Sequence, residues 1–396
     1  MISNLSIKNF KSIVDVGLPL GRFNLLIGAN GCGKSNILEG IALGAAAGLN
    51  KLDYEYFANR GIRVVDSKMM MPAFEDIKNE EEIEITLLNS KHQKTQYFIH
   101  YNEELKPPKW EDDSMNLSQF FSITKANLPK EEKDISNLQK LINQIDNLQK
   151  ERGDEILLSV RLRKKGNEIN IIPDNDDLNK FLIYSLEETK LRKADDSNRT
   201  YPLGRHGEGL FAYLKELAQR PNAMNIFNEI KDNLKVLDWF DDMQVPSGQL
   251  SSEFNLKLKD SYLAEALNVF DQRSTNEGFL YLLFYFTLVI SDETPRFFAI
   301  ENIDTAFNPK LCREVIKRLV ALAKKHDKQI IATTHNPAIL DGLDLRDDEQ
   351  KLMVVQRSTD GYTKVRTLKK EEVVNSDLSL SQLWLRGFIG GLPNNF

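Results

Sequence analysis

Residues 28–35 read Gly28-Ala29-Asn30-Gly31-Cys32-Gly33-Lys34-Ser35, which matches G-x-x-x-x-G-K-[ST]. Glycines let the backbone bend so that successive N–H groups point inward at phosphate oxygens, and a helix starting at the loop's end adds its positive N-terminus. On this reading Lys34 reaches the β- and γ-phosphates of a nucleoside triphosphate. The Ser35 hydroxyl goes to Mg²⁺, a hard ion that prefers oxygen ligands. Gly28, Asn30, Gly31, Cys32, Gly33 and Asn36 complete the cradle. Cys32 either makes the loop oxidisable or is simply a small loop residue. Such a loop also needs a carboxylate at the end of a neighbouring strand for the metal. Glu301, directly after the apolar run Phe297-Phe298-Ala299-Ile300, supplies one.

These residues need a scaffold. The alternating Ile2, Leu5 and Ile7 predict a strand, and residues 23–27 predict a second one ending at the glycine-rich loop. A helix follows from Lys34 with Ile37, Leu38, Ile41 and Ala42 on one face. Antiparallel hairpins are expected between Glu82 and His100 and again from 155 to 172, around Lys165-Gly166-Asn167. Residues 129–152 read as a polar helix with a stripe of Ile135, Leu138, Ile145 and Leu148, either docked on its own domain or projecting to a partner. Residues 203–240 read as helical after the stretch LGRHGEG. The last third alternates helix 278–290, strand 296–301, helix 309–325, strand 329–333 and a helix near Pro337, a pattern that calls for a parallel sheet. A hairpin turning at Asp360-Gly361 and an apolar tail with Trp384, Leu385, Phe388, Ile389 and Pro393 follow, the tail serving either to dock a separate effector or to pack onto the core.

The bulk numbers exclude several classes. With 396 residues, two lobes are expected. A formal net charge of -6 excludes a chain that coats nucleic acid with overall positive charge, so any DNA contact is a local patch such as Arg161-Leu162-Arg163-Lys164-Lys165 or no contact at all. Two distant cysteines, Cys32 and Cys312, provide neither a disulfide framework nor a zinc site and point to a reducing, cytoplasmic setting. The opening residues lack a secretory pattern. The longest apolar stretch, residues 278–290, is too short for a bilayer, so no membrane span is expected.

Taken together, the motifs resemble a family. The run FFAIENIDTAFNP at 297–309 resembles the acidic strand-end segment of the RecF, SMC and OLD ATPases. On that register Glu301 stands for the metal-side aspartate, Asn302 for the catalytic glutamate and Asp304 for a second acid. Residues 329–337, QIIATTHNP, resemble the segment whose histidine, here His335, contacts the γ-phosphate. Ser274-Thr275-Asn276-Glu277-Gly278, before the apolar helix, is similar to the family's signature, with Asn276 where serine is usual. SIKNFKSI at 6–13 and YPLGRHGEGL at 201–210 also resemble family segments.

The resemblance implies an α/β P-loop NTPase of ABC/SMC-head type, with a parallel-sheet core, an antiparallel β subdomain and a helical lobe. It divides the chain at 1–125 (loop and β subdomain), 126–152 (helical insertion), 153–270 (hairpin and helical lobe), 271–345 (signature, acidic strand and histidine) and 346–396 (hairpin and tail). It implies ATP and Mg²⁺, and a homodimer or higher homo-oligomer in which Asn276, Glu277 and Gly278 reach the partner's nucleotide. An amide at 302 cannot accept a proton as a carboxylate does, so hydrolysis is expected to be slow, with Asn302 orienting water and Asp304 or Glu301 assisting. The expected setting is DNA repair or antiphage defence with a separate nuclease-like effector. The alternative is a nucleotide-locked scaffold. A transporter ATPase fits the opening strand and the signature less well.

Overall fold

A computed structural model describes residues 1–75, 82–104, 109–112, 114–116, 161–165, 168–172, 176–193, 202–245, 256–264, 269–271, 273–374 and 377–392. The expected helical insertion at 126–152, the hairpin residues 155–160, the turn residues 166–167 and Pro393 lie outside them.

Strands β1 (Ile2–Phe10) and β2 (Ile13–Pro19) form a hairpin, where one longer strand and a turn are expected. Their turn places Lys11 at φ 51°. Strand β3 (Phe23–Ile27) leads through the glycine loop into α1 (Lys34–Gly48), and α2 (Tyr54–Arg60) follows. The expected 82–100 hairpin is β4 (Glu82–Asn89) with β5 (Lys94–Asn102), extended by β6 (Lys109–Asp112). With β1 and β2 they make a five-stranded antiparallel sheet, order β2-β1-β4-β5-β6. Helix α1 lies close on this sheet because its near face is small: a Cβ on Gly40 would meet the Ile7 side chain at 2.8 Å, and one on Gly44 would meet Ile85 at 3.0 Å.

Strands β7 (Ser114–Asn116), β8 (Arg161–Lys165) and β9 (Glu168–Ile172) pair antiparallel, as do β11 (Phe240–Gln244), β12 (Lys257–Asp260) and β13 (Val269–Asp271) further along the chain. The expected helical stretch 203–240 divides into α3 (Leu210–Leu217) and α4 (Ala223–Leu234), preceded by a loop rather than a helical turn, because Gly207 and Gly209 take positive φ.

The core sheet collects short β10 (Ile183–Tyr184), β14 (Phe297–Ile300), β15 (Gln329–Thr333), β3, β16 (Gln350–Arg357) and β17 (Thr363–Thr367), in that spatial order. All neighbours are parallel except β16 and β17, which form the hairpin expected at Asp360-Gly361. The first arm of that hairpin is a core strand beside β3, which the sequence pattern does not reveal. A parallel sheet is covered on both faces, so alternate residues feed two cores. Phe23, Leu25, Phe298, Ile300, Ile330, Ala332, Leu352 and Val354 face the all-apolar helix Glu277–Ile290 and the amphipathic helix Pro309–Lys325. Leu26, Phe297, Ala299, Ile331, Met353 and Val355 face α1 and the antiparallel sheet. The helix expected near Pro337 is a single 3-10 stretch, Pro337–Gly342. This α/β architecture, with its antiparallel subdomain and helical lobe, is the expected fold class. Among the described residues no helix is long and apolar enough to cross a membrane.

In the tail, Leu383, Trp384 and Ile389 are buried in the core, while Leu385 and Phe388 stay 63% and 66% exposed. Both cysteines are buried and free, which closes Cys32 off from solvent.

Gln329 breaks the apolar pattern of β15 for a visible reason. Its amide accepts from the Ile2 N–H (2.9 Å) and donates to the carbonyls of Ile2 (2.7 Å) and Gly21 (2.8 Å), tying the antiparallel sheet to the base of the core sheet. Gln329→Leu leaves buried backbone groups unpaired and is expected to cost about 1–3 kcal/mol, read as a lower urea midpoint at unchanged slope.

Candidate functional site

The parallel order fixes where the chemistry collects. The C-terminal ends of β14, β15 and β3 lie side by side, and the loops leaving them carry Glu301, His335 and the glycine loop. Gly28, Gly31 and Gly33 all take left-handed φ (152°, 73° and 110°), and Gly33 opens α1. A Cβ at Gly28 would lie 2.1 Å from the Val355 carbonyl oxygen, so this position excludes any side chain. Asn30 and Gly31 form the exposed tip.

Lys34 turns back into the loop. Its ammonium donates to the carbonyls of Gly28 (2.7 Å) and Ala29 (3.1 Å). Burial lowers its pKa, against the opposing pull of Cys32 and Glu301. The Ser35 hydroxyl donates to the Glu301 carboxylate at 2.5 Å. A hydroxyl and a carboxylate oxygen in contact are the hard donor set that Mg²⁺ takes, so Ser35 and Glu301 fit that ion chemically. Asn36, one turn into α1, donates to the Ser12 hydroxyl (2.7 Å) and accepts from Arg63 (2.9 Å).

Beyond Glu301 the chain makes a tight turn. Asn302 sits at φ 52°, a region that asparagine tolerates better than most residues, and its side chain is exposed. Its N–H donates to the Thr333 hydroxyl (3.0 Å), and the Ile303 N–H donates to the Thr333 carbonyl (3.0 Å). The Thr334 hydroxyl donates to Asp304 (2.6 Å). The two threonines before His335 therefore brace the turn that carries Asn302 and Asp304. Sequence reasoning assigned the histidine alone, although two adjacent hydroxyls at a buried strand end were the available signal.

His335 stands at the same edge with its ring only partly withdrawn from solvent. Its pKa is lowered, chiefly by burial and next by the Lys34 charge, with Asp304 pulling the other way. The signature candidate packs on the far side of the turn that carries Asp304. Asn276 caps the helix Glu277–Ile290 by accepting from the Phe279 N–H (2.9 Å), and Glu277 occupies its first turn. A Cβ at Gly278 would meet the Ala306 carbonyl at 3.2 Å. Among the described residues no hydrogen bond joins Asn276, Glu277 or Gly278 to the glycine loop. Arg205, from the stretch LGRHGEG, is a further residue that the sequence reading missed. It donates to the Ala58 carbonyl (3.0 Å); burial lowers its pKa, with the Glu301 carboxylate pulling the other way.

A glycine loop between a core strand and a helix, with an acidic strand end against its serine, defines the class of P-loop nucleotide-binding domains. The chain belongs to the family described as AAA domain, putative AbiEii toxin, Type IV TA system, whose sequence model matches residues 23–341. It is an AAA-type ATPase domain. Among curated proteins none matches the chain. Of solved structures, an SMC head bound to the C-winged helix domain of ScpA is similar at 15% identity and TM-score 0.49, covering 94% of this chain and 99% of that one. An SMC head domain from Thermotoga maritima is similar at 11% identity and TM-score 0.46, covering 93% and 99%.

The His335 geometry makes a prediction. By NMR titration its imidazole should lose its proton at a midpoint below the ordinary histidine value of 6.5. Lys34→Met removes a nearby positive charge and should raise that midpoint. A wild-type midpoint at or above 6.5 contradicts this account.

Proposed function

We propose that the protein binds ATP with Mg²⁺ at residues 28–36 and hydrolyses it slowly, as one half of a site completed in a homodimer. The observation that carries this is the Ser35–Glu301 contact, with Lys34 and His335 at the same sheet edge and an amide at 302. Lys34 exchanges the Gly28 and Ala29 carbonyls for β- and γ-phosphate oxygens. The free N–H groups at the start of α1 bind the same anion. Ser35 and Glu301 are the residues that would hold Mg²⁺, which would supply neutralisation of the phosphate charge.

Positioning and electrostatics dominate phosphoryl transfer, so an amide that orients water sustains some turnover without serving as base. Asn302 orients the water; Glu301 or Asp304 assists. Asp304 is held by Thr334 and so keeps a fixed carboxylate next to His335. No hydrogen bond joins Asn276, Glu277 or Gly278 to their own loop among the described residues, which is compatible with their use on the nucleotide of a second copy. The family's description names a toxin of a Type IV TA system, which fits a role in defence alongside a separate partner. The amide at 302 also supports a second reading, a dimer locked by ATP that serves as a scaffold for that partner.

Two variants test these readings. Lys34→Ala is expected to abolish binding of a fluorescent ATP analogue. Asn302→Glu costs about 1 kcal/mol of stability through its left-handed backbone, yet should release phosphate faster than the wild type. A variant no faster removes Asn302 as the limiting residue, and a wild type that binds ATP without measurable phosphate release favours the scaffold.

A further inference from the structure

The family match ends at residue 341, yet the glycine loop is held from outside it. Thr363, on β17, is fully buried. Its hydroxyl donates to the Cys32 carbonyl (3.0 Å) and lies 2.7 Å from the Ser12 hydroxyl. A hydroxyl carries one proton, so the donor order follows. The Thr363 proton goes to Cys32, so Ser12 donates to Thr363. Ser12 in turn accepts from the Asn36 amide, and Asn36 accepts from Arg63. The chain of donors runs from α1 through the β1–β2 turn and β17 back to the loop, closing a ring around it. Arg357, at the end of β16, adds a second hold: its Nε donates to the Gly31 carbonyl at 2.9 Å and its Nη1 to the Gly361 carbonyl.

A peptide unit is planar, with its C=O and the following N–H pointing in opposite directions. Pinning the Gly31 and Cys32 carbonyls outward therefore turns the N–H groups of Cys32 and Gly33 the other way, toward the inside of the loop, where the Cys32 N–H makes a long hydrogen bond to the Ala29 carbonyl (3.4 Å) that a phosphate oxygen can replace. Gly33 is also required by the same contact, since a Cβ there would sit 2.1 Å from the Thr363 hydroxyl. We infer that Thr363 and Arg357 are positioning residues of the phosphate site, which makes the C-terminal hairpin a determinant of nucleotide affinity. This rests on the ATP-binding reading above and names which residues outside the glycine motif set its strength.

The test titrates a fluorescent ATP analogue with Mg²⁺ into the full chain as wild type, Thr363→Val, Thr363→Ser, Arg357→Met and Lys34→Ala, with the thermal midpoint of each. Thr363→Val keeps the shape and removes the hydroxyl, and is expected to weaken binding about tenfold, the scale of one lost hydrogen bond. Thr363→Ser keeps the hydroxyl and should bind within about twofold of wild type. Arg357→Met alters an exposed side chain and should weaken binding several-fold, which decides the matter if Thr363→Val fails to fold. Thr363→Val and Arg357→Met binding like wild type while Lys34→Ala does not would overturn this inference alone. Equal weakening by Val and Ser would overturn the role of the hydroxyl. A wild type that binds no nucleotide, or a Lys34→Ala that binds normally, would remove the ATP reading and this inference with it.

Discussion

The contact between the Ser35 hydroxyl and the Glu301 carboxylate sets the terms for the rest of the molecule. The two residues stand 266 positions apart and follow strands that do not touch, because β15 runs between β14 and β3. Their side chains meet only if three parallel strands end at one level. The register meets that demand, with Ile300 opposite Ala332 and Thr333 opposite Leu26. Thr333 then closes the gap by holding Asn302 and Ile303, so the middle strand braces the turn that its neighbour supplies.

The opposite end of the sheet carries the buried polar groups that keep this arrangement rigid. Gln329 joins the first strand to the base of the core. Lys328, 1% exposed, donates to the carbonyls of Ser291 (2.7 Å), Thr294 (2.9 Å) and Pro295 (3.4 Å) and to the Thr294 hydroxyl (2.8 Å). Burial brings its pKa down to about 8, still above neutrality, so the ammonium persists at the C-terminal end of the long apolar helix, where a positive charge is favoured. That helix bears Asn276 at its other end. One buried lysine thus anchors the element that presents the signature candidate.

Local features were legible in the sequence, and contacts between distant residues were not. The glycine loop could be read because its strand, turn and helix are contiguous, and the core strands because their apolar runs are nearly unbroken. Asn302 was read as a missing carboxylate that could still orient water, and its left-handed backbone adds a steric reason for an asparagine to stand there. The β1–β2 hairpin was read as one strand, since its turn rests on Lys11 at positive φ without a glycine to mark it. Thr363 and Arg357 left no signal, because a threonine and an arginine in a surface-looking hairpin acquire meaning only when β16 packs beside β3. The tail was open between docking surface and core packing. Leu383, Trp384 and Ile389 take the second course, and Leu385 and Phe388 remain outside.

The strand order also has a consequence for how the chain is made. β3 ends at Ile27, but both of its neighbours belong to the last third, beginning at Gln329 and Gln350. During synthesis this strand waits through about 300 residues, roughly 15–60 s at cellular rates, with both edges unpaired and the face of Phe23, Leu25 and Ile27 not yet covered by the helices of the last third. Contacts of such long sequence separation form late and slow the final folding step. The phosphate cradle, although written near the N-terminus, is among the last parts of the molecule to exist, and a chain cut short before residue 363 carries the glycine motif without the hairpin that shapes it.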